Sequence, residues 1–257
     1  MDNGCQKGTK MSLEINKIHH GDCLELMKDI PDKSIDCIIC DLPYGTTECV
    51  WDSIIPFDKL WEQYKRIRKD NTPIVLFGSE PFSTYLRMSN IKEYRYDWIW
   101  VKNNSTGVGN CNKMPMKNNE LISCFYKKLP RFIPQGLKLF NKKITRGSSA
   151  EYMGNKTGIK GGQYIQKYTN YPRTVLNGFK SEVGLHPTQK PLALLEYLIK
   201  TYSNEGDLIL DNCSGSGTTA IACHRTNRKF ICIEKDENYY NLSVERLKRE
   251  KMKRKLF

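Results

Sequence analysis

The sequence contains no apolar run that approaches the roughly 18 residues needed to cross a bilayer, and residues 1–11 are polar, without the apolar core of a signal peptide. We therefore expect a cytoplasmic protein with no membrane partner. Histidine is also scarce, and the four histidines form no HxxxH pair and no cluster with cysteine, so no metal site is expected. What is present, 39% apolar and 27% charged residues, is typical of a globular protein with a core.

The ten cysteines lack the spacing of a disulfide framework and are expected to be reduced thiols. The one CxxC, from Cys37 to Cys40, lies in an apolar run that predicts a strand. Residues three apart on a strand face opposite sides of the sheet, so a metal or redox role for this pair is disfavoured.

The positive charge is concentrated in two segments of the chain. The net charge is +13, of which residues 129–185 contribute +8 and residues 246–257 contribute +6, so the remainder carries about −1. This distribution favours a polyanion that docks at particular places. A merely solvated surface is the alternative, above all for the C-terminal segment, which has the pattern of a helix end.

Short apolar runs alternate with helical patterns along most of the chain, which predicts an α/β sheet. Strands are expected at 16–20, 35–40, 73–77, 93–102, 120–127, 208–210 and 229–233, and helices at 24–30, 57–69, 192–202, 218–225 and from 237 onward. Residues 129–185 lack a sustained period and hold eight of the 18 glycines, so we expect an irregular basic insertion there.

A glycine-rich turn is predicted at the end of one strand. Residues 211–219, with the sequence DNCSGSGTT, lie between the strand at 208–210 and the next helix. Glycine lets the backbone approach a ligand, and ligands of open α/β sheets bind at the carboxyl ends of strands. The next strand ends in Glu234, where a carboxylate can accept both hydroxyls of a ribose. A nucleoside-containing cofactor is indicated, with a ligand-free turn as the alternative; the absence of GxxxxGK[ST] argues against a triphosphate.

A second candidate motif, Asp41-Leu42-Pro43-Tyr44, also follows a predicted strand. An exocyclic amine could donate one hydrogen to the Asp41 carboxylate and one to the carbonyl of Leu42, with its ring stacked on Tyr44. Pro43 would stiffen the turn and set the direction of that carbonyl. The same four residues also fit an ordinary turn.

The order of the motifs is more specific than any one of them. Gly21-Asp22-Cys23 precedes the tetrapeptide, and HPTQKP at 186–191 and the turn at 211–219 follow it. In this order the motifs resemble the amino-methylating DNA methyltransferases, and more narrowly the β-class adenine-N6 enzymes, in which the catalytic segment precedes the cofactor segment. The resemblance covers about 16–128 and 186–247, and residues 129–185 fall where such enzymes keep a variable target-recognition region.

The resemblance implies a Rossmann-like, S-adenosylmethionine-dependent methyltransferase fold of the α/β class, circularly permuted, with a mixed seven-stranded sheet and helices on both faces. It divides the chain into a catalytic half at 12–128, a basic target-recognition insertion at 129–185, and a cofactor-binding half with a basic tail at 186–257. The implied cofactor is S-adenosyl-L-methionine and the implied partner is double-stranded DNA. A homodimer and a companion restriction endonuclease are both compatible with it.

The resemblance also assigns roles to residues. Those implied to bind the cofactor are Asp22, Cys23, Asp41, His186, Thr188, Asp211, Ser214, Gly215, Gly217 and Glu234. Those implied to hold the target base are Asp41, Leu42, Pro43 and Tyr44. Trp98 and Trp100 fall where the family places an aromatic ring against the base, and as strand residues they fit the core equally well.

Three positions depart from the family pattern. Leu42 stands where proline is usual, but the implied role uses only its carbonyl. Asn212 and Cys213 stand where proline and phenylalanine are usual, so the aromatic packing expected near the cofactor must come from elsewhere.

The implied function is methylation of the N6 amino group of a flipped adenine in a specific DNA sequence. The alternative on the same scaffold is cytosine-N4 methylation, which Asp41 disfavours because the cytosine enzymes usually carry serine there. Cytosine-C5 methylation needs a nucleophilic cysteine, typically after proline, and none of the 11 prolines is followed by cysteine. A nicotinamide-dependent dehydrogenase would leave the tetrapeptide and the basic insertion unexplained, and a non-catalytic DNA-binding protein would explain only the charge.

Overall fold

The structure is a computed structural model, and it describes residues 13–45, 53–146, 162–180 and 189–253. The chain divides into two compact units: Met1–Ile133 together with Thr174–Phe257, and Pro134–Arg173. No helix in the described ranges has both the length and the apolar character of a membrane span.

The helices and strands are short and alternate along most of the chain. The strands are β1 (Lys17–His20), β2 (Cys37–Asp41), β3 (Ile74–Gly78), β4 (Tyr94–Thr106), β5 (Lys117–Phe125), β6 (Lys138–Arg146), β7 (Gly162–Thr169), β8 (Val175–Leu176), β9 (Leu208–Asp211) and β10 (Lys229–Glu234). The α-helices are α1 (Cys23–Leu26), α2 (Phe57–Ile67), α3 (Phe82–Ser89), α4 (Leu192–Tyr202), α5 (Thr218–Arg225) and α6 (Glu237–Lys253).

Eight strands of the larger unit form one mixed sheet in the order β1-β10-β9-β2-β3-β5-β4-β8. The first five are mutually parallel, β5 runs antiparallel to both of its neighbours, and β8 runs parallel to β4. The prediction of a mixed sheet is confirmed, and the last two strands of the chain, β9 and β10, lie between β1 and β2. The predicted count of seven strands is wrong, because Val175 and Leu176 add an eighth strand along β4.

The core has one layer on each face of the sheet, because successive strand residues point to opposite sides. Cys37 and Ile39 of β2 belong to one buried cluster with α4 and α5, whereas Ile38 and Cys40 belong to the other with α1 and α2. The two thiols of the CxxC therefore lie on opposite faces, as its spacing predicts. Both cysteines are at most 1% exposed, and burial raises the pKa of both thiols, that of Cys40 to about 12.

Five elements differ from the sequence expectation: the helix at 24–30, helix α3, and strands β6, β7 and β8. The pattern predicted as a helix at 24–30 forms only one α-helical turn, followed by a 3-10 turn at Met27–Asp29. Helix α3 was not predicted, because it has eight residues and leaves Tyr85 and Met88 more than 60% exposed, which obscures its apolar face. The prediction that 129–185 is irregular is wrong for three strands, because β6 and β7 pair with each other and the two residues of β8 pair with β4.

The smaller unit contains an antiparallel pair, β6 and β7, with an irregularity between Leu139 and Lys142. Strand β7 has no buried residue. Residues 134–173 carry a net charge of +7. The unit therefore combines a two-stranded sheet with concentrated positive charge.

Candidate active site

The two candidate motifs lie at the same edge of the sheet. Strands β2 and β9 are parallel neighbours, with Cys37 opposite Ile209 and Ile38 opposite Leu210, so Asp41 and Asp211 end adjacent strands. One cavity of about 590 Å³ opens there, and both motifs line it. Carboxyl ends of parallel strands are where open α/β sheets bind ligands.

Most of the residues singled out from the sequence line this cavity. They are Asp22, Cys23, Asp41, Leu42, Pro43, Tyr44, Asp211, Ser214, Gly215 and Glu234. Gly217 does not line it, and His186 and Thr188 lie outside the described residues.

The two glycines of the glycine-rich turn have different surroundings. Gly215 has φ +50° and a Cβ added there would meet nothing within 4 Å, so the backbone at this point borders open space. Gly217 has φ +76° and a Cβ there would lie 2.8 Å from the Cβ of Ser243 in α6. Gly217 thus allows the start of α5 to pack closely against α6, and the cofactor role implied for it stays a prediction.

Two carboxylates lie beneath the turn. Glu234 accepts hydrogen bonds from the backbone N–H groups of Gly215 (2.6 Å) and Asp236 (2.8 Å), and burial raises its pKa. Asp211 is 4% exposed, and burial raises its pKa to about 7. A positive charge bound beside this carboxyl would stabilise its ionised form and lower its pKa again.

Ser214 adds an unused hydrogen-bonding group to this end of the cavity. Its side chain is 8% exposed, and its buried Oγ has no hydrogen-bond partner among the described residues. A buried hydroxyl without a partner costs free energy unless a ligand supplies one. Asp211 and Ser214 together therefore fit a ligand that carries both a cation and a hydrogen-bonding group.

The opposite side of the cavity is formed by the tetrapeptide. The Tyr44 hydroxyl donates to Asp41 Oδ1 at 2.6 Å, and its ring packs against Phe82 with centroids 5.0 Å apart. Burial first, and then the charge of Asp41, raises the pKa of Tyr44, so the phenol remains a donor. Asp41 is half-buried and Leu42 is 3% exposed.

A lysine that the sequence analysis gave no role lies beside Asp41. The Lys190 ammonium donates to Asp41 Oδ2 at 2.5 Å and lies 3.2 Å from Glu120 Oε2, while Lys102 pairs with Glu120 Oε1. Lys190 is the fifth residue of the HPTQKP segment at 186–191. The motif therefore contained this lysine, although it did not indicate its contact with Asp41. Glu120 and Lys102 carry no such signal, because they face the cavity only through the pairing of β4 with β5.

Around Cys213, where the family pattern has phenylalanine, the cavity is lined by two further cysteines and by Tyr239. Cys23, Cys40 and Cys213 all line the cavity, and Asn212 Nδ2 lies 3.5 Å from Cys213 Sγ. Asp22 caps α1 through a 2.9 Å bond from the Leu24 N–H.

Both candidate tryptophans belong to the core. Trp98 and Trp100 are 3% and 2% exposed, and neither lines the cavity. The indole N–H of Trp98 donates to the Tyr202 hydroxyl at 2.6 Å, and that of Trp100 to the Phe179 carbonyl at 3.2 Å. The core alternative holds for both.

The C-terminal basic segment is more than a solvated helix end. Arg246 Nη1 donates to the Ser216 carbonyl at 3.0 Å and to Thr218 Oγ1 at 2.9 Å, and Leu247 is 6% exposed in the core. The start of the segment thus supports the glycine-rich turn, whereas Lys248 and Arg249 are exposed.

The family model described as DNA methylase, which is named for N6 and N4 methylation, matches residues 35–245. The chain belongs to this family. It is 27% identical over 256 residues to the type II methyltransferase M1.MboII of Moraxella bovis, covering 89% of this chain and 95% of the relative. It is 29% identical over 263 residues to the DNA adenine methyltransferase YhdJ of Escherichia coli K12, covering 96% and 87%.

Solved structures agree with this assignment. A complex of M1.HpyAVI with S-adenosylmethionine superposes with a TM-score of 0.61 at 26% identity, covering 90% of this chain and 99% of that one. The cytosine-N4-specific PvuII DNA methyltransferase superposes with a TM-score of 0.65 over 92% and 88%, and at 16% identity this likeness concerns the fold alone. The Rossmann-like methyltransferase fold is confirmed, and S-adenosylmethionine is the cofactor of the family.

Proposed function

We propose that this protein transfers a methyl group from S-adenosylmethionine to the N6 amino group of a flipped adenine in a specific sequence of double-stranded DNA. The observation that carries the proposal is the shared cavity: Asp41 and the turn after Asp211 end adjacent parallel strands and face the same space. A group held on the turn and a base held on Asp41 would then share one cavity, which is the arrangement that transfer between them requires.

The residues around the turn fit the cofactor. Asp211 is buried with a pKa of about 7 and is matched to the methionine ammonium, and the unpartnered Ser214 hydroxyl is matched to the carboxylate. Glu234 would accept the ribose hydroxyls, and Asp22 and Cys23 would lie beside the adenine. His186 and Thr188 remain predicted to close the methionine side.

When bound, S-adenosylmethionine supplies a methyl group that is already activated as a sulfonium. The chain then has to orient an amine and needs no covalent nucleophile. The Asp41 carboxylate and the Leu42 carbonyl would accept the two amine hydrogens, which leaves the nitrogen lone pair less committed to the ring. Tyr44 would contact the base, and Pro43 would hold the direction of the Leu42 carbonyl.

A base inside a duplex cannot reach a cavity of this kind, so the target must leave the stack at a cost of a few kcal/mol. Phosphate contacts from basic residues would offset that cost. We assign sequence recognition to the basic insertion at 129–185, between a catalytic half at 12–128 and a cofactor-binding half at 186–257. The net charge of +7 within 134–173 supports this assignment.

Adenine is preferred over cytosine as the target because the tetrapeptide begins with Asp41 rather than serine. The relative YhdJ is named as an adenine methyltransferase and supports the same choice. Cytosine-N4 methylation is the rival outcome on this scaffold.

Nucleoside analysis tests the proposal directly. The full chain is expressed in a host without DNA methylation, the DNA is digested, and modified nucleosides are identified by mass spectrometry, with Asp41→Ala as the inactive control. N6-methyladenine is expected, and sequencing with modified-base detection would then give the target site. N4-methylcytosine would establish the rival, and neither product despite measured cofactor binding would refute methyl transfer to DNA.

A further inference from the structure

Both oxygens of the Asp41 carboxylate are occupied before any base arrives. The Tyr44 hydroxyl donates to Oδ1 at 2.6 Å, and the Lys190 ammonium donates to Oδ2 at 2.5 Å. Lys190 is 7% exposed, and its Nζ lies 5.9 Å from the centroid of the Tyr44 ring and 5.3 Å from that of Phe77. The Lys190 ammonium therefore occupies the position proposed above for the target amine: it donates an N–H to Asp41 and lies beside aromatic rings.

Glu120 offers the ammonium a second position. Its Oε1 is paired with Lys102, whereas its buried Oε2 accepts no hydrogen bond from the described residues and lies 3.2 Å from Lys190 Nζ. The contact with Oε2 is an ion pair that a small movement of the lysine would convert into a directed hydrogen bond. Glu120 therefore has one oxygen available, and it faces Lys190.

The charges of Asp41, Lys190 and Glu120 indicate that the Lys190 ammonium leaves Asp41 before methyl transfer. Methyl transfer places positive charge on the attacked nitrogen, and an ammonium retained on Asp41 beside that nitrogen would oppose it in a cavity of low dielectric constant. A shift of the ammonium toward Glu120 removes it from the amine position without exposing an unpaired charge, because Glu120 is 8% exposed and already ionised.

We propose that Lys190 is a placeholder for the target amine: it holds Asp41 in the base-free enzyme and transfers to Glu120 Oε2 when the flipped base enters. This inference deepens the proposed function and rests on it. Lys190 and Glu120 are positioning residues in this scheme, since they act through Asp41. Both stay charged throughout. Burial opposes ionisation of each, but Asp41 and Glu120 raise the pKa of Lys190, and Lys190 and Lys102 lower that of Glu120.

The test uses three variants of the full chain and the target duplex identified by sequencing. Glu120→Gln removes the charge that receives the ammonium, so Lys190 remains on Asp41 and the single-turnover methylation rate should fall at least tenfold. Adding Lys190→Met to Glu120→Gln removes the retained ammonium, so the rate should recover at least fivefold relative to Glu120→Gln alone. If Glu120 and Lys190 had only a structural role, the double variant would be no faster than Glu120→Gln, because a second substitution would not restore activity.

A second readout does not depend on turnover. With 2-aminopurine at the target position, fluorescence reports the extrahelical base at saturating protein. Lys190→Met alone should raise this signal at least twofold over the unsubstituted chain, and Glu120→Gln should lower it. Glu93→Gln is the matched control, because Glu93 is also a shielded carboxylate paired with a cation, Arg68, and it does not line the cavity.

The outcomes separate the two proposals. If the unsubstituted chain transfers no methyl group, the proposed function fails. If it methylates DNA but Glu120→Gln is as fast, or the double variant is as slow as Glu120→Gln, or Lys190→Met lowers the fluorescence, then the placeholder role is overturned. Cofactor binding and the unfolding temperature of each variant establish that it folds, and the fluorescence of Lys190→Met tests the placeholder role even if Glu120→Gln does not fold.

Discussion

Asp211 should make the protein less stable and the cofactor bind more tightly, and the single substitution Asp211→Asn separates the two effects. The pKa of Asp211 is raised by burial from 3.8 to about 7. A shift of about three pH units corresponds to about 4 kcal/mol at 1.36 kcal/mol per unit. Because the residue is 4% exposed, solvent screens little of this cost.

The sign follows from the direction of the shift. Between pH 4 and pH 7 the folded chain keeps a proton on Asp211 that the unfolded chain releases, so the free energy of unfolding falls as the pH rises through this window. Asparagine has no such proton. At pH 8 the Asp211→Asn variant should therefore unfold at a higher temperature, by up to about 8 °C at roughly 2 °C per kcal/mol, and the difference should vanish near pH 4.

Cofactor affinity should respond in the opposite direction. If only ionised Asp211 binds the cofactor cation, a pKa of about 7 makes the apparent Kd about tenfold weaker at pH 6 than at pH 8. Calorimetric titration with S-adenosylmethionine measures this ratio, and Asp211→Asn should bind weakly with a flat profile. The exposed Asp58→Asn is the control for loss of a carboxylate. Equal stability of Asp211→Asn and the unsubstituted chain at pH 8 would refute the reasoning.

Three further variants test the target-base residue, the glycine-rich turn and the basic insertion. Asp41→Ala should abolish methyl transfer while calorimetric cofactor affinity stays nearly intact, because Asp41 would hold the base. Gly217→Ala should lower the free energy of unfolding by about 1–3 kcal/mol, measured by denaturant titration, since φ is +76° and the added Cβ would lie 2.8 Å from that of Ser243. Lys138→Gln with Lys143→Gln should reduce the slope of log K for DNA against log salt by up to about 2, at about 0.9 per lost phosphate contact.

Each of these has a result that would contradict it. A substantial methylation rate in Asp41→Ala would remove its assigned role. An unfolding free energy unchanged by Gly217→Ala would show that α5 and α6 can separate without cost. For the lysine pair, an unchanged salt slope would place the DNA contacts elsewhere, and Lys28→Gln with Lys59→Gln, two exposed lysines outside residues 129–185, is the charge-matched control.

Local pattern was sufficient for much of the sheet. Continuous apolar runs marked β2 and β3, which are buried on both faces, and the helix predicted from Glu237 begins at that residue. The motif order also indicated a circularly permuted fold, and the last two strands of the chain, β9 and β10, do lie between β1 and β2. These predictions succeed because burial of one face and the residue preferences of turns produce patterns among neighbouring residues of the sequence.

Patterns of a few residues were weaker guides. Helix α3 escaped prediction because two of its large apolar side chains face solvent, and β8 because two residues carry no period. Trp98 and Trp100 could not be assigned from position, since a strand presents alternate residues to core and cavity alike. Their indole hydrogen bonds to Tyr202 and Phe179 exist only once distant segments have met.

Composition and motif order were enough to indicate the fold, the family and the pair of strand ends that carry the chemistry. The ion pairs inside the cavity could not be derived from composition and motif order. Lys190 and Asp41 are 149 positions apart, and their ion pair with Glu120 forms because β2, β3 and β5 are consecutive in the sheet and Lys190, just before α4, reaches both carboxylates. Such contacts depend on strand order and close packing, and a local window of sequence encodes neither.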